Sequence, residues 1–181
     1  MAFQCLSLPP LLTLFSSRSD VSLLYFRSLR PGGWIELQEL HGYPFCDDST
    51  MSSNDSFKRL YDLAGQAYQK FGMSTTLPAH LEPLLIEAGF QNIRCKIMKV
   101  PIGTWAKDKT MRLIGLYQKT VVLDFISTLA GRPFEALGLS QDEAQVTLAL
   151  ARNALGDANV HRYFNYYFWY AQKPGPGGDR T

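Results

Sequence analysis

The chain has 181 residues, of which 46% are hydrophobic and 19% charged, and its formal net charge is +2. This composition indicates a folded globular protein and excludes an intrinsically disordered chain. The balanced charge, without a block of basic residues, excludes a nucleic-acid partner, and no apolar run approaches the roughly 18 residues of a membrane helix, so we expect no membrane partner either.

The chain opens with a weakly patterned segment, followed by a helix, a turn and a strand. Leu6–Phe15 shows no clean period and contains a Pro-Pro pair, so we expect no regular strand there. A helix beginning near Asp20 is predicted by the spacing of its apolar residues, Val21, Leu24, Tyr25 and Leu29. The Pro-Gly-Gly sequence at 31–33 then predicts a turn, and Trp34–Gln38 predicts a short strand.

Two helices and a second strand follow. The apolar face of Asn54–Phe71 predicts a helix that ends at Gly72. A shorter helix is predicted over Pro78–Ala88, where Pro83 should delay its start or kink it. A half-buried strand is predicted over Phe90–Val100, because apolar and basic side chains alternate along it: Ile93, Cys95 and Ile97 against Arg94 and Lys96.

The C-terminal part predicts two more helices and an aromatic strand. The helix over Lys109–Ala130 has an expected buried stripe formed by Met111, Ile114, Tyr117, Val121 and Phe125. The helix over Gln141–Leu155 begins with a capping box, in which Ser140 and Glu143 satisfy free backbone amides. The residues of Val160–Ala171 strongly favour a strand.

We expect one domain over residues 1–173, followed by a disordered Pro/Gly-rich tail over 174–181. The three cysteines are widely spaced, which indicates free, buried thiols in a reducing compartment rather than a disulfide framework. The three histidines are also far apart and lack clustered carboxylates, so no metal site is predicted.

Three segments of the chain resemble one protein family. LRPGGWIELQE, from Leu29, resembles the entry to the fifth strand of class I methyltransferases, the users of S-adenosylmethionine (SAM). Its Trp, Glu and Gln resemble more narrowly the LaeA/UMTA-like fungal methyltransferases of secondary metabolism. EAGFQNIRCKIMKVPIGTWAKDK resembles that family's entry to its sixth strand, and VHRYFNYYFWYA resembles its last strand. The resemblance covers Val21–Pro174 and corresponds to the C-terminal half of the family's domain.

The resemblance implies an α/β fold. We expect a partial Rossmann-like class I methyltransferase fold, a three-layer αβα remnant with an inserted helical segment. By the same resemblance, the last strand should insert antiparallel between the strands at Trp34 and Phe90.

The resemblance implies SAM as the cofactor, but this chain lacks the family's cofactor motif. Such a site needs a glycine-rich turn after a strand, where the backbone can approach the ligand closely. No glycine precedes Gly32, and the glycines near the C-terminus are followed by no predicted helix. We therefore expect a truncated or non-catalytic member of the family, whose own binding of SAM the sequence does not support.

Ligands of open α/β sheets bind beyond the carboxyl ends of the strands, where Glu39, His41 and Tyr43 follow the Trp34 strand. His41 is the candidate catalytic residue, because a general base must remove a proton from the acceptor oxygen in O-methylation. A solvated loop histidine is the alternative. Glu39 and Tyr43 are candidate substrate-binding residues.

Three further residues are candidates for the substrate pocket. Trp105 offers a flat wall, although a tryptophan in such a loop more often covers the core. His161 and Tyr166 belong to the last strand, where packing among aromatic side chains is the competing explanation.

Two functions therefore remain open, beside the third possibility of a defective fragment without a stable function. The first is a SAM-dependent methyltransferase of fungal secondary metabolism that acts on a small-molecule acceptor. The second is a non-catalytic relative that binds a protein partner or a metabolite. In either case we expect an intracellular protein, in the cytoplasm or nucleus. We also expect self-association through the Trp34–Leu40 strand, because an unpaired apolar strand edge recruits other chains.

Overall fold

The computed structural model describes residues 5–8 and 25–176. Its strands are β1 (Cys5–Leu8), β2 (Trp34–Leu40), β3 (Gln91–Pro101) and β4 (Tyr163–Gln172). Its helices are α1 (Ser56–Lys70), α2 (Glu82–Glu87), α3 (Lys109–Thr128), α4 (Arg132–Glu135) and α5 (Gln141–Gly156), with a 3₁₀ turn over Leu77–His80 before α2. Residues 25–28 are also helical. None of the helices in these ranges is long and apolar enough to cross a membrane.

The four strands form one mixed sheet in the order β1-β2-β4-β3. β1 runs parallel to β2, with Cys5 opposite Trp34. β4 runs antiparallel to β2, from Gln172 opposite Trp34 to Tyr166 opposite Leu40. The predicted α/β class and the antiparallel insertion of the last strand are confirmed, and the chain has a partial Rossmann-like fold.

The expectation that Leu6–Phe15 holds no regular strand is wrong at its beginning. Cys5–Leu8 forms β1 and pairs with β2 as far as Leu37, so the edge of β2 is covered over that length. The remaining residues of that segment lie outside the described ranges. Self-association through the Trp34–Leu40 strand stays a prediction, with a strand neighbour already present along its first four residues.

The chain divides into two compact units, and the first comprises Met1–His41, Met73–Met98 and Tyr166–Thr181. Its core contains residues from β2, the 3₁₀ turn, α2 and β4: Leu29, Ile35, Leu37, Leu77, Leu81, Leu85, Ala88, Phe90, Trp169 and Ala171. Pro83 lies in the first turn of α2, where its missing N–H is harmless, so the predicted helix starts late. A single domain over residues 1–173 remains a prediction.

The predicted Pro-Gly-Gly turn is present, with Gly32 at φ +79°. The residues after β4 pack against this turn. The Gly32 N–H donates to the Lys173 carbonyl (3.0 Å), and the Lys173 N–H donates to the Gly33 carbonyl (2.8 Å). The Lys173 ammonium donates to the carbonyls of Phe26 (2.8 Å) and Leu29 (2.7 Å). The tail predicted from residue 174 is described only to residue 176.

The prediction that β3 is half-buried is wrong. Most of its residues are exposed, including Cys95 and Ile97 on the supposedly inward face. The alternation does separate two faces, but a face is buried only where another element covers it. β3 lies at the end of the strand order, and in the described ranges that cover is absent along most of its length. The free cysteine Cys95 is thus exposed and Cys46 half-buried, rather than both buried.

The second unit comprises Gly42–Gly72 and Lys99–Asn165 and is mainly helical. α1 begins at the N-cap Asp55, and α5 begins with the predicted capping box of Ser140 and Glu143, which is confirmed. The two helices pack against each other, and their buried apolar residues include Phe57, Leu60, Ala64, Leu148 and Ala151.

The predicted buried stripe of α3 is wrong by one residue, which is about 100° around the helix. The face that is buried contains Gly115, Gln118, Val122 and Ile126, whereas Ile114, Tyr117 and Val121 are exposed. Gly115 explains this rotation. Its carbonyl accepts from the Gly103 N–H (2.9 Å), and a Cβ at position 115 would stand 2.1 Å from the Gly103 carbonyl oxygen. Only a glycine permits this approach, so Gly115 must face inward.

Candidate functional site

The structure divides the six predicted site residues between the two units: Glu39, His41 and Tyr166 belong to the first, and Tyr43, Trp105 and His161 to the second. In the first unit, alternate residues of β2 are buried, and this alternation places Glu39 inward at the carboxyl end of the strand. Together with burial, the charge of Glu39 raises the pKa of Tyr25. Tyr166 lies opposite Leu40 in the β2–β4 register, next to the Glu39–Tyr167 pair.

His41 is buried directly after β2 and is not the solvated loop histidine considered above. Its ring lies 6.1 Å from the ring of Tyr167. Burial, and secondarily the proximity of His80, lowers the pKa of His41. Its imidazole is therefore neutral at neutral pH, which is the form that can accept a proton.

In the second unit the structure brings Trp105 and His161 together. Their rings are 4.9 Å apart and inclined by 31°. The Trp105 indole N–H donates to the carbonyl of Arg162 (2.9 Å), and the His161 backbone N–H donates to the Thr50 hydroxyl (2.9 Å). The Trp105 side chain is thus fixed as a flat surface against one face of the imidazole.

Asp48 orients the His161 ring through a hydrogen bond between its Oδ2 atom and Nδ1 of the imidazole. Its other oxygen accepts from the Thr50 hydroxyl (2.8 Å) and from the Cys46 thiol (3.2 Å). The hydrogen bonds from Thr50, His161 and Cys46 hold the pKa of Asp48 far below its usual range, and their effects on the pKa decrease in that order. A carboxylate at Nδ1 favours the tautomer with a proton there, so that Nε2 carries the lone pair of the ring.

Tyr43 does not join this pair. Its ring contacts Phe45 in a T-shaped arrangement (5.8 Å), and the Lys58 ammonium lies 6.0 Å from the ring centre. Phe45 in turn stacks on Tyr163 (5.9 Å), and the two residues form an isolated β-bridge. Tyr43 therefore occupies an aromatic cluster at the start of the second unit.

Sequence reasoning missed the roles of the aspartates between β2 and α1. Asp47 accepts from the Lys99 ammonium (2.5 Å) and the Tyr163 hydroxyl (2.6 Å), and Asp55 accepts from the Arg162 guanidinium (2.5 Å). The only local signal was the polar loop after β2. Its partners follow about 50 to 115 residues later in the chain, and nothing in the sequence pattern shows those pairings.

A groove of about 550 Å³ lies between α1 and α5 in the same unit. Its apolar wall includes Leu63, Val146 and Leu150, while Arg59 and Glu143 supply charge. Among residues 5–8 and 25–176, no group of three or more His, Cys, Asp or Glu side chains is placed to hold a metal ion.

The described residues do not fit SAM. A backbone cradle for this cofactor needs glycines between a strand and the helix that follows. After β2 the loop to α1 contains only Gly42, and after β3 the loop to α3 contains only Gly103.

Comparison with known proteins gives the family. The probable methyltransferase tdiE of Emericella nidulans is 33% identical over 156 residues, which are 85% of this chain and 49% of that protein. Methyltransferase pytC of Aspergillus terreus is 28% identical over 82% of this chain and 46% of its own length. The secondary metabolism regulator laeA of Fusarium oxysporum f. sp. lycopersici is 28% identical over 83% of this chain and 49% of its own length. No family model matches.

Among solved structures, phosphoethanolamine N-methyltransferase 2 of Haemonchus contortus, in complex with S-adenosyl-L-methionine, has a TM-score of 0.48 and 16% identity, covering 94% of this chain and 33% of that one. A methyltransferase-like protein from Bacillus halodurans has a TM-score of 0.41 and 15% identity, covering 96% of this chain and 73% of that one. The chain spans about half the length of the curated relatives it matches. Over the residues that it shares with those relatives, the chain matches the LaeA-like family of fungal methyltransferases.

Proposed function

We propose that this chain is the acceptor-binding part of a SAM-dependent methyltransferase of fungal secondary metabolism. The observation that carries the proposal is the 33% identity with the probable methyltransferase tdiE over 85% of the chain. The acceptor is a small molecule with an ionisable O–H or N–H group. An intracellular location belongs to the same proposal, since the free cysteines Cys46 and Cys95 suit a reducing compartment.

His161 is our first candidate for the base that removes the acceptor proton. Its Nδ1 is held by Asp48, and its side chain is partly exposed, so Nε2 is open to a ligand. Trp105, stacked on the same ring, offers a flat surface for an aromatic acceptor. His41, the base expected from its position after β2, is the second candidate, because its lowered pKa keeps it neutral.

Calorimetric titration of the 181-residue chain with SAM tests the proposal, with adenosine as the control ligand. The enzymatic proposal requires saturable SAM binding in the micromolar range, with much weaker binding of adenosine, despite the absence of a glycine-rich cradle among the described residues. Binding must also persist in His161→Ala, because His161 is proposed to contact the acceptor and not the cofactor. A chain that unfolds in a clean two-state transition but binds no SAM would contradict the enzymatic proposal.

The second candidate function is a non-catalytic protein that binds a partner or a metabolite. Two observations favour it: some of the relatives are named secondary metabolism regulators, and the described residues lack a glycine-rich cradle. The same titration separates the two functions, because a folded chain without SAM affinity is the result expected of the second.

A further inference from the structure

Helix α3 presents an apolar face to solvent. We define the α3 face as Leu113, Ile114, Leu116, Tyr117 and Val121. Tyr117 is 66% exposed, and its neighbours one turn away on either side, Leu113 and Val121, are 53% and 60% exposed. In the described part of the chain no element covers these side chains. Contiguous exposed apolar side chains of this kind mark interaction surfaces.

The packing of α3 makes this exposure obligatory. The contact between Gly115 and Gly103 fixes the rotation of the helix, because any larger residue at position 115 would collide with the Gly103 carbonyl. Val122 and Ile126 are buried on the same side as Gly115. The α3 face points the opposite way and cannot turn inward unless that contact breaks.

The charges near the α3 face are arranged symmetrically about Tyr117. Lys109 lies eight residues before Tyr117 and Asp124 seven residues after it, which places them about 12 Å and 10.5 Å along the axis in opposite directions. Both project on the exposed side of the helix. Two further cations lie on α3. Arg112 donates to the carbonyls of Ala106 (3.1 Å) and Lys107 (3.3 Å). Lys119, two residues after Tyr117, is about 200° away around the helix and so lies on its other side.

This pattern is complementary to itself when two such helices run antiparallel. A two-fold axis at Tyr117 would set that residue against its own copy and Leu113 at the level of Val121 in the second chain. Lys109 of each chain would then lie beside Asp124 of the other. Isologous contacts of this kind are typical of two-fold symmetric dimers.

We propose that a second copy of this chain binds to the α3 face and forms an antiparallel, two-fold symmetric homodimer. This proposal is independent of the catalytic function. A contact made by one helix from each chain is small, in the class of weak, transient interfaces that bury less than about 1,200 Å². The dimer is therefore reversible, with dissociation in the micromolar range.

Disulfide crosslinking tests the geometry, because only an axis near position 117 brings that residue next to itself. Tyr117→Cys is made in a background in which Cys5, Cys46 and Cys95 are replaced by serine, and the folds are compared by circular dichroism. Mild oxidation should crosslink Tyr117→Cys into a covalent dimer. Leu150→Cys is the matched control, since Leu150 is 53% exposed on α5, outside the α3 face, and should stay monomeric. Equal crosslinking of the two variants would overturn the proposal.

Sedimentation over a concentration series tests the energetics. The double variant Tyr117→Glu/Val121→Glu should weaken dimerisation at least tenfold. Lys109→Asp and Asp124→Lys should each weaken it, and their combination should restore it to within about threefold, because the exchanged charges face each other again. A wild-type chain that is monomeric up to about 1 mM, or one whose association none of these variants changes, would contradict the proposal.

Discussion

Asp55 has two structural roles at one position. Its Oδ1 atom accepts from the Lys58 N–H (3.0 Å) and caps α1, while Oδ2 accepts from Arg162, which is only 2% exposed. The Arg162 guanidinium also lies 5.6 Å from the Phe57 ring centre. Buried charges are tolerated only when they are paired, so Asp55 holds a cation inside the second unit.

We predict that Asp55→Ala destabilises the chain by about 3–5 kcal/mol, because it leaves the buried charge of Arg162 without its carboxylate and removes a cap. Asp108→Ala is the matched control. Asp108 caps α3 in the same way, by accepting from the Met111 N–H (2.9 Å), but is in an exposed hydrogen bond, so its loss should cost only about 1 kcal/mol. Urea unfolding measures the loss of stability in both variants. Equal losses in Asp55→Ala and Asp108→Ala would mean that the ion pair contributes nothing.

The buried His41 predicts a pH dependence of stability. Its pKa in the folded chain is below the ordinary histidine value of about 6.5, so near that pH the unfolded chain binds a proton that the folded chain does not. Stability should therefore be unaffected by His41 above about pH 7.5 and fall as the pH drops through 6.5. The lowered pKa of Asp47, Asp48 and Glu143 acts at more acidic pH, below about 4.5.

Urea midpoints between pH 8 and pH 5.5 test this dependence. His41→Gln should remove much of the slope, because the group that titrates is gone. His80→Gln should reduce the slope only slightly, since His80 is the smaller of the two causes of the shift. An unchanged slope in His41→Gln would show that another group is responsible.

At the scale of elements, the features fixed by near neighbours in sequence were predictable. The capping box at Ser140 needs only residues 140 and 143, and both of its hydrogen bonds are present: Ser140 N–H to Glu143 Oε2 (2.8 Å) and Glu143 N–H to the Ser140 hydroxyl (3.3 Å). The face of α3 was not predictable in this way, because the Gly103–Gly115 contact that sets it joins two elements. β1 was missed because four residues give no period, and its pairing partner lies about 30 residues away.

Ser140→Ala should lower the free energy of unfolding by about 1 kcal/mol through loss of the cap of α5. Ser127→Ala provides the comparison, since Ser127 lies inside α3 and its hydroxyl bonds only to Leu123 and Arg152 at the surface. Ser127→Ala should lower the free energy of unfolding clearly less than Ser140→Ala does. Urea melts that give equal values would indicate that the capping box does not form in solution.

The pairing of β1 with β2 can be tested by hydrogen exchange. Ser7 lies opposite Glu36 in this parallel pair. Ser7→Pro removes a backbone donor from β1, so the amides of Trp34–Leu37 should exchange faster. Ser7→Ala keeps the backbone N–H and should leave exchange unchanged. If proline has no more effect than alanine, β1 does not pair with β2 in solution.

For the whole molecule, the sequence supported the family more strongly than the site. The three segments that resemble the LaeA-like family are continuous stretches, and the similarity to tdiE and laeA agrees with them. The pairing of His161 with Asp48 depends on residues 113 positions apart, and no local pattern could show it. The roles of His41, Glu39 and the other candidate residues remain predictions.

The position of β4 has a consequence for synthesis of the protein. This strand lies between β2 and β3, so the position between them is filled by the strand that is made last of the four described. At about 5–20 residues per second, the roughly 70 residues from Pro101 to Gln172 take about 4–14 s to be made. During that interval β2 and β3 of the nascent chain lack the strand that joins them. A translation product that stops before Tyr163 never acquires β4.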